Sequence, residues 1–297
     1  MVFITGAYSS SARSSQLQRQ YEAAQNVQLV KQYNELIQHL TSIHTISIDP
    51  IDWNKLNSAA PPVNPSGYGF RQAEAIDNLE SYKPGFLASV IKPLSERKKK
   101  KLHQKIEQAT IEDKTDFDEW YRLKILSEKI LNGDTTAYKD ILNERNPFSE
   151  LSEFGYGYEF RILGSIAIDV EFRIRTDIIP DYSFSLTQTG KLSKKTLTKT
   201  VYYELVQDYV CSVSHKIARD LFALLPVKQV IVNALESGTS GVTGYHEELT
   251  VLSVLYDRDT LERINIQRID PSDALKNFTH NIKFQKTSGL SAVDRII

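Results

Sequence analysis

The chain contains a single cysteine, Cys211, and almost no net charge, with 36 Lys and Arg against 37 Asp and Glu. One cysteine excludes an intramolecular disulfide framework and every multi-cysteine zinc module, and it fits a reducing compartment. The charge balance excludes a global pull toward nucleic acid or an anionic membrane, so any such binding has to come from a local patch. No stretch reaches the ~18 uninterrupted apolar residues needed to cross a bilayer. The opening MVFITGAYSSSAR has a short apolar run but lacks the basic n-region and longer apolar core of a secretory signal. These absences predict a soluble, cytoplasmic protein.

What is present is enough to build a core: 297 residues, 41% of them hydrophobic, suffice for one large or two ordinary domains. Residues 1–15, rich in Ser and small side chains, are expected to be disordered. From Gln16 to about Ile46 the chain lacks Pro and Gly, while Val30, Tyr33, Ile37, Leu40 and His44 recur at steps of three and four. That spacing predicts a helix that needs a partner helix. Pro50, Pro61, Pro62, Pro65 and Gly67 then mark an extended linker over 49–67. Helical patterns follow over 71–82, 93–131 and 136–144, the long one closed by Gly133. Residues 16–150 are therefore expected to form a helical hairpin or coiled-coil-like arm.

Beyond Phe154 the period changes to two. Tyr158–Leu163 and Ile166–Arg175 alternate around Gly164-Ser165, as a β-hairpin does. A polar loop is expected over 181–199, then a helix across Val201–Pro226, then strands over 229–235 and 248–255. Asp257 and Asp270-Pro271 start short helices, because Asp caps and Pro suits a first turn. The fold class is thus α+β: a helical arm, then a mixed or antiparallel sheet packed on a long helix over residues 151–297.

In that long helix Val206, Val210, Val213, Ile217, Leu221 and Leu224 share one side, and Glu204, Gln207, Asp208, Cys211, His215 and Arg219 the other. The polar line Glu204, Asp208, Cys211, His215 invites a ligand or nucleophile reading, since Cys211 and His215 are four apart. A Cys–His nucleophile normally draws on two elements and an oxyanion site, and nothing in the sequence supplies them. The favoured reading is a solvent or partner face.

Asp169, Glu171 and Arg173 alternate onto one face of their strand, and His246 to Glu248 lead into a later one. Two carboxylates on adjacent strands can hold a divalent ion for nucleic-acid hydrolysis, so Asp169, Glu171, His246 and Glu248 are the candidate catalytic residues of a metal-dependent nuclease or other hydrolase. Arg173 stands where such a site uses lysine, and guanidinium does not readily lose a proton. A polar outer strand face explains the same alternation. The glycine-rich loop Gly238–Gly244 precedes a strand rather than a helix, so it is not expected to cradle phosphate. No cofactor is expected unless the hydrolase reading brings a divalent metal.

The run Arg97, Lys98, Lys99, Lys100, Lys101 precedes Glu112, Asp113, Asp116, Asp118 and Glu119 on one helix, opposing the helix dipole. Two such helices laid antiparallel would match plus to minus. This motivates self-association through the arm, with a phosphate-backbone contact as the rival use of the basic run.

Pro50-Ile51-Asp52-Trp53, Pro61-Pro62, Tyr82-Lys83-Pro84-Gly85-Phe86, Asn146-Pro147-Phe148-Ser149-Glu150, Tyr203-Glu204-Leu205, Gln207-Asp208-Tyr209-Val210-Cys211 and Arg268-Ile269-Asp270-Pro271-Ser272-Asp273-Ala274 together resemble a group of bacterial proteins without an established activity. The resemblance spans roughly residues 30–290. It implies a bacterial origin and carries over no catalytic residue. Many of those proteins place a small N-terminal domain of unknown function before the arm, and this chain is expected to lack it. The resulting expectation is a protein-interaction or self-associating module with no assignable catalytic site.

Overall fold

The computed structural model describes residues 6–64, 67–83, 92–239 and 244–297, and the side chains of all of these except 6–15, 92–94, 239 and 246. Its helices are α1 (Gly6–Ser42), α2 (Trp53–Ser58), α3 (Phe70–Glu80), α4 (Lys92–Leu131), α5 (Thr135–Arg145), α6 (Lys199–Leu224), α7 (Arg258–Arg263) and α8 (Pro271–Ala274). Its strands are β1 (Gly155–Ile162), β2 (Ala167–Ile174), β3 (Tyr182–Leu186), β4 (Leu192–Thr196), β5 (Gln229–Thr239), β6 (His246–Asp257), β7 (Thr279–Gln285) and β8 (Gly289–Ser291). The architecture is α+β, as the patterning implies. Two units are formed, one by residues 1–50 with 139–297 and one by residues 51–138. Among the described residues no helix is long and apolar enough to cross a membrane.

In the first unit a sheet runs in the order β1-β2-β5-β6-β7-β8, parallel between β2 and β5 and antiparallel elsewhere. A parallel pair needs a crossover, and α6 lies within it. Register puts apolar residues in rows: Ile168, Val230 and Tyr256; Val170, Val232 and Val254; Phe172, Ala234 and Leu252. All nine are fully buried, and Ser214 of α6 reaches Tyr256 Oη at 2.8 Å, which identifies this as the face under the helix. Removing these rows from water, at ~25 cal/mol per Å² of apolar surface, favours the packing of helix on sheet.

Helix α1 finds its packing partners inside this unit, against α6 and the β3–β4 hairpin. The stripe that called for a second long helix meets Tyr182 and Phe184 instead, with the Tyr33 ring 6.3 and 5.9 Å from theirs. The expected polar loop over 181–199 thus contains a hairpin, because Tyr182-Ser183-Phe184-Ser185-Leu186 alternates and Tyr182 and Phe184 gain an apolar partner on α1.

The second unit is built around α4, against which α2 and α3 pack. Asp52 caps α2 by accepting from Lys55 N at 2.9 Å, so a helix stands inside the stretch expected to be linker. Trp120 Nε1 and Lys124 Nζ donate to the carbonyls of Ala59 and Asn57, each at 2.9 Å, and fasten the end of α2 to α4. Helix α3 is capped from outside its own sequence: Asp113 accepts from Arg71 N at 3.3 Å and Gln72 N at 2.7 Å. A Cβ on Gly69 would lie 2.1 Å from Asp113 Oδ2, so glycine is required where the cap approaches.

Candidate functional site

Three places carry the sequence candidates, and the most developed lies along the polar line of α6. That line turns from partly open at Glu204 and Asp208 to closed at Cys211 and His215. Cys211 and His215 are fully buried, covered by the short 3-10 turn Ile43–Thr45 on one side and by α8 on the other. For Cys211 and His215 the expected solvent or partner face is therefore corrected to an internal contact, while Glu204 stays partly exposed. Periodicity shows which residues share a side, but it cannot say whether distant segments of the same chain return to cover it.

His44 anchors the 3-10 turn. Its backbone N–H donates to Ser212 Oγ at 3.0 Å, and its Nδ1 lies 2.8 Å from the same oxygen. Arg219 Nη1 donates to the His44 carbonyl. His215 Nε2 stands 2.9 Å from the Pro271 carbonyl, while its Nδ1 has no hydrogen-bond partner. The bonded nitrogen must carry the proton, because a carbonyl only accepts. Asp270 holds α8 in place by accepting from Ser272 N and Asp273 N, both at 2.9 Å. Burial keeps His215 neutral and lowers its pKa to about 4. Burial likewise pushes the Cys211 thiol far up, with Asp208 adding to it, so this cysteine is no thiolate nucleophile. Asp208 is raised to about 6, first by burial and then by Asp270. Glu204, at the more open end, pairs with Lys286 at 2.8 Å.

Next along α6, Lys216 and Asp220 form an ion pair at 2.9 Å with their side chains only 3% and 1% exposed. Asp220 also accepts from Ile48 N at 3.2 Å, tying residues 43–50 to the helix. Burial, working against the Lys216 ammonium, leaves the Asp220 carboxyl above its usual range.

Beside this line opens a cleft of about 490 Å³, lined by Thr45, Ser47, Ile48 and Pro50, by Arg219, Phe222 and Ala223 of α6, by Arg258, Leu261 and Glu262 of α7, and by Ile264 and Ile266. Its two arginines differ. Arg258 spends its donors on the Val227 and Phe222 carbonyls at 2.8 and 2.9 Å, on the Leu225 carbonyl, and on Glu262 at 3.2 Å. It thereby closes the C-terminal carbonyls of α6, as a base at a helix end does. Among the described residues Arg219 donates to the His44 carbonyl alone, and no carboxylate lies at ion-pair distance from it. In the sequence Arg219 is one member of the polar side of α6, and no local signal distinguishes it.

The outer face of the sheet holds the candidate catalytic carboxylates. Asp169 Oδ2 is 2.5 Å from Arg161 Nη2 and its Oδ1 accepts from Asn233 at 2.7 Å. Glu171 Oε1 is 3.3 Å from the same Arg161 and 2.5 Å from Arg295. Glu248 is 2.5 Å from Arg173 Nε. His246 begins β6, and its side chain lies outside the described ones. Asn233 in turn accepts from Ser253 at 2.7 Å, whose hydroxyl accepts from Ile296 N at 3.0 Å. Asp169 and Glu171 do converge, but around Arg161 and Arg295, which engage Asp169 Oδ2 and Glu171 Oε1 where a divalent ion would compete for them. The arrangement is a cross-strand polar network closed by residues 293–296.

On α4 the run Arg97–Lys101 is exposed and has no ion-pair partner among the described residues. The acidic block behind it is partly engaged within its own unit. Arg71 reaches Glu112 at 3.7 Å, Asp113 at 3.4 Å and Asp116 at 2.5 Å, and Arg122 reaches Glu119 at 2.9 Å. No family model, curated protein or solved structure matches the chain.

Proposed function

We propose that the protein is a self-associating interaction module in which α4 of one copy packs against α4 of another. One observation carries this reading: Ile111, Phe117, Tyr121 and Ile125 remain 62%, 37%, 55% and 36% exposed on α4. At 100° per residue these four fall within an arc of about 120°, beside the face that packs on α2 and α3. Such a stripe on a helix already packed on its other side calls for a further partner.

The pattern also supports the second copy as occupant. Ile111 and Ile125 lie equally far on either side of Asp118, and the exposed Glu107 and Lys129 do so one helical turn farther out. A two-fold antiparallel pairing centred on Asp118 therefore sets each Ile111 against the partner's Ile125 and each Glu107 against the partner's Lys129, at the cost of bringing the two Asp118 carboxylates together at the axis. This register replaces pairing between the basic run and the acidic block, since Arg71 and Arg122 already engage much of that block.

Light scattering on the full chain tests the proposal. The wild type is expected at twice the chain mass at tens of micromolar, with Ile111→Glu plus Ile125→Glu shifting it to the monomer mass. At ~1.5–3 kcal/mol for each isoleucine fully buried, the dimer should weaken at least ~10-fold. Reversal of Lys98–Lys101 to Glu should leave the mass unchanged. A monomeric wild type removes the proposal. The unpaired basic run favours one second reading, contact with a polyanion such as nucleic acid, which the same charge reversal would abolish without altering the mass.

A further inference from the structure

We propose that the cleft beside α6 binds a small organic acid, with Arg219 pairing its carboxylate and the apolar walls holding its body. The inference begins with Arg219 itself. A guanidinium has five N–H donors and no acceptor capacity. Here one nitrogen is bonded to the His44 carbonyl, and none of the others is sealed from solvent without a partner. They are therefore reachable from the cleft that Arg219 lines. Burial lowers the Arg219 pKa, which shows that the fold withdraws this cation from water at a cost. Its neighbours have direct partners, Lys216 in Asp220 and Arg258 in three carbonyls and Glu262, whereas the Asp220 carboxylate reaches Arg219 only through its charge and offsets the burial in part.

The cleft's size and lining define what fits. A volume of about 490 Å³ lies within the usual range for small-molecule sites. Ile48, Phe222, Leu261 and Ile264 supply apolar wall for a hydrocarbon or aromatic body. The lining charges are Arg219, Arg258 and Glu262, so one positive charge is left over. A monoanion balances that charge, whereas a phosphate dianion leaves an excess beside the Glu262 carboxylate. Carboxylate also matches a planar guanidinium through two parallel hydrogen bonds, which a lysine could not offer.

Calorimetric titration of the full chain with benzoate, hexanoate and 2-naphthoate tests the assignment, with benzamide and phenyl phosphate as comparators. At least one of the three acids should bind saturably below about 10 mM, and its affinity should fall at least ~10-fold in Arg219→Gln. Benzamide should bind at least ~10-fold more weakly than benzoate. Ile264→Trp fills the cleft while keeping Arg219 in the chain, so it should also abolish binding if Arg219→Gln fails to fold. Absence of saturable binding by all three acids overturns the proposal, as does unchanged affinity in a folded Arg219→Gln protein. Phenyl phosphate binding more tightly than benzoate would overturn the assignment of a monoanion.

Discussion

Replacing Asp220 with alanine is expected to destabilise the fold by about 3–5 kcal/mol, because it strands a buried ammonium. Lys216 is 3% exposed, and its other carboxylate neighbour, Glu150, stands 3.4 Å away with its side chain 58% exposed. A largely hydrated Glu150 cannot replace a counter-charge held inside the core. The substitution also leaves Ile48 N without its acceptor, which loosens the segment that closes over α6. Urea unfolding followed by circular dichroism gives the loss directly. The double replacement Lys216→Met with Asp220→Leu should recover most of it, since apolar pairs of similar volume commonly match or exceed a buried ion pair. A loss below about 1 kcal/mol in Asp220→Ala would show that the pair is hydrated and that residues 43–50 do not seal it.

Acid should weaken the protein through His215. An unfolded histidine takes up its proton near pH 6.5, whereas the buried ring does so only near pH 4. Stability from the neutral ring is therefore complete above pH 6.5 and is lost as the pH falls toward 4, by about 3 kcal/mol. The geometry gives the cause: a second proton must go to Nδ1, which faces no acceptor. His44, lowered chiefly by burial and then by Arg219, acts in the same sense. Asp208 opposes them. Its carboxyl, raised to about 6, is protonated in the folded chain before the unfolded one, so its contribution is present at low pH and fades as the pH rises through 6. Unfolding measured at pH 7 and pH 4.5 should show a shallower acid loss in His215→Gln and a steeper one in Asp208→Asn. Identical pH dependence in wild type and His215→Gln would contradict the buried, neutral ring.

The elements whose signals are local could be read in advance. Helix α6 ends with Pro226 close behind it, β1 and β2 turn at Gly164-Ser165, and Asp257 and Asp270 cap α7 and α8 through their own side chains. What escaped the sequence depends on distant partners. The β3–β4 hairpin is held by Tyr33, 149 residues before Tyr182. The cap of α3 comes from Asp113, and the cover of α6 comes from His44 and Pro271. In the candidate site, Cys211 and His215 were visible as a line on α6, but their burial was not. Arg219 stands out only through the pairing of Arg258 and Lys216 around it, which no local pattern encodes.

The sole cysteine, buried in α6, leaves the chain free of accessible thiols among its described residues, so one introduced cysteine can report on the proposed pairing of α4. Asp118→Cys lies at the centre of the antiparallel register, and Lys98→Cys lies about 30 Å from it along the helix at ~1.5 Å per residue. On mild oxidation at tens of micromolar, the account predicts a covalent dimer from Asp118→Cys and none from Lys98→Cys. No dimer from Asp118→Cys, or equal dimer from both variants, would contradict it.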